Sequence, residues 1–189
     1  YNESQAVFSP DGTRIAFVSN HSENPDKNDD TDIFLMPVVS GSTPVQLTTW
    51  DGGDSHPLWS HDGKWICYSR TSSDEEFTMY GQSQLAIVPA GGGASRVISA
   101  AVDRPVSSMQ WSKDDKQILA LMEDDRQVQL VSFDVATGNM AKLITGEQSF
   151  SNLELNTQKN GWVTLMSRPT VPAEIYAIEG TQLRKLTNV

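Results

Sequence analysis

Residues 55–70 read SHPLWSHDGKWICYSR, a pattern of strand, tight turn, strand. Leu58 and Trp59 close the first strand. Ser60-His61-Asp62-Gly63 makes the turn, because glycine tolerates positive φ and an aspartate can bond its own backbone. Trp65-Ile66-Cys67-Tyr68 is a short apolar run, too brief for a helix and rich in aromatic and β-branched residues. One hairpin decides little. Its recurrence decides the fold.

The same pattern stands at Gln5 to Ser19, QAVFSPDGTRIAFVS, where Phe8 takes the place of Trp59. We align Ile15-Ala16-Phe17-Val18 with Trp65 to Tyr68. A third copy is Ser108 to Met122, SMQWSKDDKQILALM, with Asp115 in place of the turn glycine. The fourth, Ser151 to Met166, SNLELNTQKNGWVTLM, has Leu155 at the aromatic position and one extra turn residue. A second half repeats as well: Asp32 to Pro37, Gln84 to Pro89, Gln129 to Asp134 and Glu174 to Glu179. Each of these leads through a glycine-bearing turn into a short strand that ends on a polar residue, as in Val45-Gln46-Leu47-Thr48 and Arg184-Lys185-Leu186-Thr187. No stretch keeps a 3.6-residue period.

A unit of about 40–50 residues with four antiparallel strands is the signature of a β-propeller blade. The second strand of each unit is apolar at successive positions, which fits a sheet covered on both faces. The expected fold is therefore all-β: four consecutive four-stranded blades at about 4–49, 50–99, 104–146 and 149–188. They form a single arc over residues 1–189, part of a larger seven- or eight-bladed ring. An arc has two open ends. Blades 1 and 4 should each present an apolar face, and we expect either self-association through those faces or further sequence on the N-terminal side.

Composition narrows the functions. The chain has 189 residues, enough for a real core, and a formal net charge of -10. Nucleic acid and anionic membrane surfaces both select clustered Lys and Arg, so neither is expected as a partner. No apolar run approaches the ~20 residues of a membrane helix; Ile118 to Met122 comes nearest. Cys67 is the only cysteine, which rules out an internal disulfide, and its apolar strand predicts a buried thiol. The chain opens at Tyr1 with no signal-peptide pattern, as an excised or processed piece would. Cytoplasm and periplasm both stay open.

The strings FSPDGTRIAFVS, DIFLMPVVSGSTPVQLT and HPLWSHDGKWICYS resemble the propeller repeats of prolyl-oligopeptidase-family serine peptidases, and also those of the periplasmic TolB-like propeller. The last blade favours the peptidases. Ser167-Arg168-Pro169, Pro172-Ala173-Glu174-Ile175-Tyr176 and Leu186-Thr187 resemble the segment where the final blade of acylaminoacyl peptidases runs into the catalytic domain. The resemblance implies a non-catalytic propeller that gates short peptides toward a hydrolase domain after Val189, with the triad outside this chain. The alternative is a TolB-like scaffold whose partner is a protein. Neither reading requires a cofactor.

Candidate chemistry within the chain is sparse. Gly81-Gln82-Ser83-Gln84-Leu85 lacks the second glycine of a nucleophile elbow and leads into a strand. Gly91-Gly92-Gly93 joins two strands of one blade and reads as a turn. His21, His56 and His61 fall in loops or turns, with no nucleophile and acid beside them. Asp26, Asn28 and Asp30 alternate as calcium ligands would, without the glycine and the final glutamate of a calcium loop, and read first as a solvated acidic loop. Glu75 and Glu76 resemble the glutamate pair with which dipeptidyl peptidases hold a substrate's amino terminus, but they stand between the second and third strands of a blade. The loops at 20–32 and 70–83 are where function should sit. Trp59 and Trp65 are expected to pack between blades.

Overall fold

The computed structural model describes residues 2–71, 82–156 and 161–188. Every regular element among them is a strand, apart from one turn of 3-10 helix at Pro25–Lys27. The chain divides into two compact units, Tyr1–Asp103 and Arg104–Val189. Each unit holds two antiparallel four-stranded meanders.

In the first unit the sheets are β1 (Ser4–Phe8), β2 (Arg14–Ser19), β3 (Asp32–Pro37), β4 (Val45–Gln46), then β5 (Asp54–Trp59), β6 (Trp65–Arg70), β7 (Gln84–Pro89), β8 (Arg96–Val97). Strand β5 lies against β1, β2 and β3, whereas β4 and β8 do not approach one another, so the two sheets come closest along their first strands. Between them sit Ala16, Ile33 and Leu35 of the first sheet and Trp59, Ile66, Tyr68, Ala86 and Val88 of the second, all buried. At about 1.5–3 kcal/mol for each large side chain removed from water, this layer is the main attraction between the sheets. Arg14 adds an arm. Its guanidinium lies 4.8 Å from the centre of the Trp59 ring and donates to the Ala90 carbonyl at 3.0 Å.

In the second unit the sheets are β9 (Val106–Trp111), β10 (Gln117–Asp124), β11 (Gln127–Asp134), β12 (Met140–Lys142), then β13 (Ser149–Asn156), β14 (Gly161–Arg168), β15 (Val171–Glu179), β16 (Gln182–Lys185). Here β13 lies against β9, β10 and β11. Leu119, Leu121 and Leu130 meet Phe150, Leu153, Met166 and Ile178. The all-β blade fold is what the repeats predict.

The hairpin turns are built alike. Ser9, Ser60 and Ser112 each donate to an aspartate two residues on, at 2.6, 2.7 and 2.8 Å. The same hydroxyls accept the backbone N–H of Arg14, Trp65 and Gln117. Serine and aspartate thus close the hairpin as well as turn it. The next position has positive φ throughout: 70° at Gly12, 68° at Gly63 and 55° at Asp115.

Strand register corrects the sequence alignment by one residue. Phe8 pairs with Ile15, Trp59 with Ile66 and Trp111 with Ile118, so Trp65 takes the place of Arg14 and Ile66 that of Ile15. A shift of one exchanges the two faces of a strand. Trp59 packs between sheets as expected, whereas Trp65 is half-buried and stands outside that layer. Cys67 is a buried free thiol.

Candidate functional site

The first strand of every sheet carries a bulge at one repeat position. Gln5, His56, Ser108 and Asn152 stand three residues before Phe8, Trp59, Trp111 and Leu155, with φ of 53°, 55°, 51° and 52°. Strand pairing breaks register around each of them. A side-chain-bearing residue held at positive φ is strained, and bulges serve to re-aim side chains. All four are polar and exposed. The Gln5 side-chain oxygen accepts the backbone N–H of His56, linking the bulges of the first two sheets. In the second unit the Gln110 amide donates to the Leu153 carbonyl at 3.2 Å. His56 Nδ1 lies 3.0 Å from Ser55 Oγ, and among the described residues no carboxylate bonds its other ring nitrogen.

A buried charge cluster closes one end of the first unit, where β2 and β6 end and β3 and β5 begin. Asp54 is 0% exposed and Arg70 8%. Arg70 Nε and Nη2 reach the two Asp54 oxygens at 3.1 and 3.4 Å, and Nη2 also donates to the Tyr68 hydroxyl at 2.7 Å. The guanidinium lies 4.7 Å from the centre of the Trp50 ring and 5.4 Å from that of Tyr68. Burial pushes the Tyr68 hydroxyl up to about 12, with the Asp54 charge adding to it. The cluster also holds the adjoining loops, since Asp54 N–H donates to the Thr31 carbonyl and Trp50 Nε1 to that of Thr71.

Asp32 lies in the same region. It accepts from Gln46 at 2.7 Å and from Thr48 at 3.1 Å, while Thr48 Oγ1 takes the Ile33 N–H at 2.9 Å. Burial pushes the Asp32 carboxyl up to about 6, and the charges of Asp54 and Asp30 act in the same direction. Burial raises Asp54 as well, against the pull of Arg70. The stitch recurs: Leu85 N–H donates to Ser99 Oγ, and Ile175 N–H to Thr187 Oγ1, which bonds Glu174. This explains the polar residue after the fourth strand of the first, second and fourth sheets. It occupies a backbone donor of the third strand.

The acidic loop between β2 and β3 is internally bonded. Asn28 Oδ1 accepts from the Asn20 amide at 2.8 Å, the Ser22 hydroxyl at 3.1 Å and the Asp30 N–H at 3.3 Å. Asp26 lies in the 3-10 turn, exposed. Among the described residues no three His, Cys, Asp or Glu side chains are arranged to hold a metal ion. Glu75 and Glu76 lie outside the described residues. The His21 ring lies 4.3 Å from that of Phe34.

Sequence reading missed the charge cluster and the bulges. Asp54 and Arg70 are 16 residues apart on paired strands, and only the Asp54–Arg70 register brings them together. The bulges carry no glycine to mark them, although the constant offset from the aromatic position was a usable signal.

The family model described as PD40, TolB beta propeller domain, matches residues 1–165. Dipeptidyl-peptidase 5 of Porphyromonas gingivalis is 23% identical over 178 residues, which are 90% of this chain and 25% of that protein. Among solved structures, a Mycobacterium tuberculosis puromycin-hydrolyzing peptidase superposes with a TM-score of 0.73 at 15% identity, over 98% of this chain and 28% of its own. TolB from Acinetobacter baumannii superposes with a TM-score of 0.71 at 15% identity, over 98% of this chain and 43% of its own. The chain spans about a quarter of the length of the curated relative it matches.

Proposed function

The chain belongs to the PD40 family, the TolB β-propeller domain, and from that premise we propose that it is the non-catalytic propeller portion of a serine peptidase. The observation that carries this reading is the relation to a dipeptidyl-peptidase over nine-tenths of the chain. The Ser-x-Pro and Pro-x-Glu-Ile-Tyr pattern of the fourth blade supports it. On this reading a hydrolase domain follows Val189 and supplies the catalytic triad. The propeller acts by size selection: a rigid ring keeps folded proteins out while short peptides pass. First strands line the channel of a propeller. In the first unit the exposed, linked bulge residues Gln5 and His56 would then offer polar contacts to a passing peptide backbone.

The second reading is a TolB-like scaffold that binds a protein partner. It is favoured by the equally close superposition on TolB. One experiment separates the two. The product of the whole gene is treated with a fluorophosphonate, then assayed on dipeptidyl and acylated chromogenic peptides and on a folded protein. The peptidase reading expects labelling of one serine and turnover of the short peptides alone. A gene product with no G-x-S-x-G elbow and no labelling would refute it.

A further inference from the structure

The loop end between the third and fourth sheets differs from its counterpart between the first and second. Gly53 and Ser149 occupy one repeat position, three residues before the bulges at His56 and Asn152. In the first unit that place is full. Thr71 Oγ1 takes the Gly53 N–H at 2.9 Å, and a Cβ added at Gly53 would stand 3.1 Å from the Asp29 carbonyl oxygen, inside ordinary contact. The long connection between β2 and β3 supplies that oxygen. In the second unit the matching connection is the two-residue turn Asp125-Arg126, with φ of 44° and 65°, which closes the hairpin tightly and leaves the place open. A cavity of about 550 Å³ remains, within the range of small-ligand sites. It lies inside the unit, walled by the β10–β11 turn, the β12–β13 connection and the end of β14, so it does not depend on the outer faces of the first and fourth sheets.

Two arginines line this cavity, Arg126 and Arg168. Arg14, Arg70 and Arg184 are engaged, by the Ala90 carbonyl, Asp54 and Glu179. Arg168 has neither an ion pair nor a side-chain hydrogen bond among the described residues, and Arg126 meets there only its neighbour Asp125, at 3.9 Å. Gln148 also lines the cavity and is 6% exposed. Its Nε2 donates to the Thr145 carbonyl at 3.1 Å, which leaves Oε1 without a partner among the described residues. Ser149 Oγ accepts the Val128 N–H at 3.2 Å and keeps its own proton to give.

We propose that this cavity binds a carboxylate of a short peptide, the oxygens taken by the Arg126 and Arg168 guanidiniums and a peptide N–H by Gln148 Oε1. A guanidinium presents paired N–H donors in a plane, which match the two oxygens of a carboxylate. The neutral amide and hydroxyl groups beside the arginines suit the alternating donors and acceptors of a peptide backbone. Asp125 and Glu147 stand at the same cavity, and their charges oppose a dianion such as phosphate more than a singly charged group. The site belongs to the propeller itself and stands independently of the peptidase reading.

Calorimetric titration of the whole gene product tests it, after treatment with the fluorophosphonate to block any catalytic serine. The probes are acetyl-trialanine, its C-terminal amide, acetyl-Ala-Glu-Ala amide and inorganic phosphate. A carboxylate peptide should bind at least about tenfold more tightly than the uncharged amide, the worth of one charge-assisted hydrogen bond. Whichever of the two carboxylate peptides binds more tightly identifies the source as a free C-terminus or an acidic side chain. Arg168→Gln should abolish the preference and Arg126→Gln should reduce it, whereas Arg184→Gln, outside the cavity, should leave it unchanged. Neither carboxylate peptide exceeding the amide, a preference that survives Arg168→Gln, or phosphate bound as tightly as the peptides would each overturn the proposal. Both arginines are exposed, so the variants should fold; circular dichroism checks this, and Arg168→Lys, which keeps the charge but loses the planar fork, replaces Arg168→Gln should the latter unfold.

Discussion

Replacing Asp54 by alanine should destabilise the first unit by about 3–5 kcal/mol, the cost of leaving one member of a buried ion pair without its partner. The structure places this pair at the costly end of the range. Asp54 is fully buried, Arg70 nearly so, and the guanidinium lies against the rings of Trp50 and Tyr68, which leave it little contact with water. The Tyr68 hydroxyl accepts one of its protons but carries no compensating charge. Removing both charges should cost much less, so the Asp54→Ala, Arg70→Met double variant should recover most of the loss. Urea unfolding followed by tryptophan fluorescence measures this, because Trp50 and Trp59 report on the first unit. A loss below about 1 kcal/mol for Asp54→Ala would refute the argument, since that is the range of an exposed pair. A double variant as damaged as the single one would show that packing, not unpaired charge, sets the cost.

Two smaller predictions concern protonation and backbone strain. Burial raises Asp32 from 3.8 to about 6, so the folded chain keeps a proton there that the unfolded chain has lost between those values. Its contribution is therefore fully present below pH ~4 and is lost as pH rises through about 6. Asp32→Asn should accordingly flatten the pH dependence and stabilise the protein at pH 7 by up to about 3 kcal/mol; thermal unfolding at pH 5 and pH 7.5 would show no such convergence if the carboxyl titrates normally. The turn carboxylates act in the opposite sense. Hydrogen bonds from Ser9 and the Lys64 backbone lead in holding Asp11 and Asp62 down to about 2, so their contribution is present above pH ~4 and is lost toward pH 2. Asp115→Gly should stabilise the third hairpin by about 0.5–1 kcal/mol, because Asp115 holds a φ of 55° where the equivalent turns use glycine; an unchanged or lowered urea midpoint would refute it.

What the amino-acid order determined by itself is the blade. Apolar runs separated by Ser-x-Asp-Gly turns specify hairpins through local sterics and short-range hydrogen bonds, and fourfold recurrence specifies four sheets. Those interactions span only a few residues, so they can be read along the chain. Three further features depend on residues distant in sequence. Which face of β6 meets its neighbour turned on one residue of register, decided by the pairing of Trp59 with Ile66. The joining of Asp54 to Arg70, and of Asp32 to Thr48, depends on where paired strands end. Their perturbed protonation comes from burial supplied by the rest of the unit. The positive φ shared by Gln5, His56, Ser108 and Asn152 follows their place in the strand and not their residue type, since only His and Asn among them are enriched in that conformation. Tertiary structure alone also shows that the aromatic position is buried at Trp59 and open at Phe8: the two residues are alike in their repeats and differ only in what lies against them.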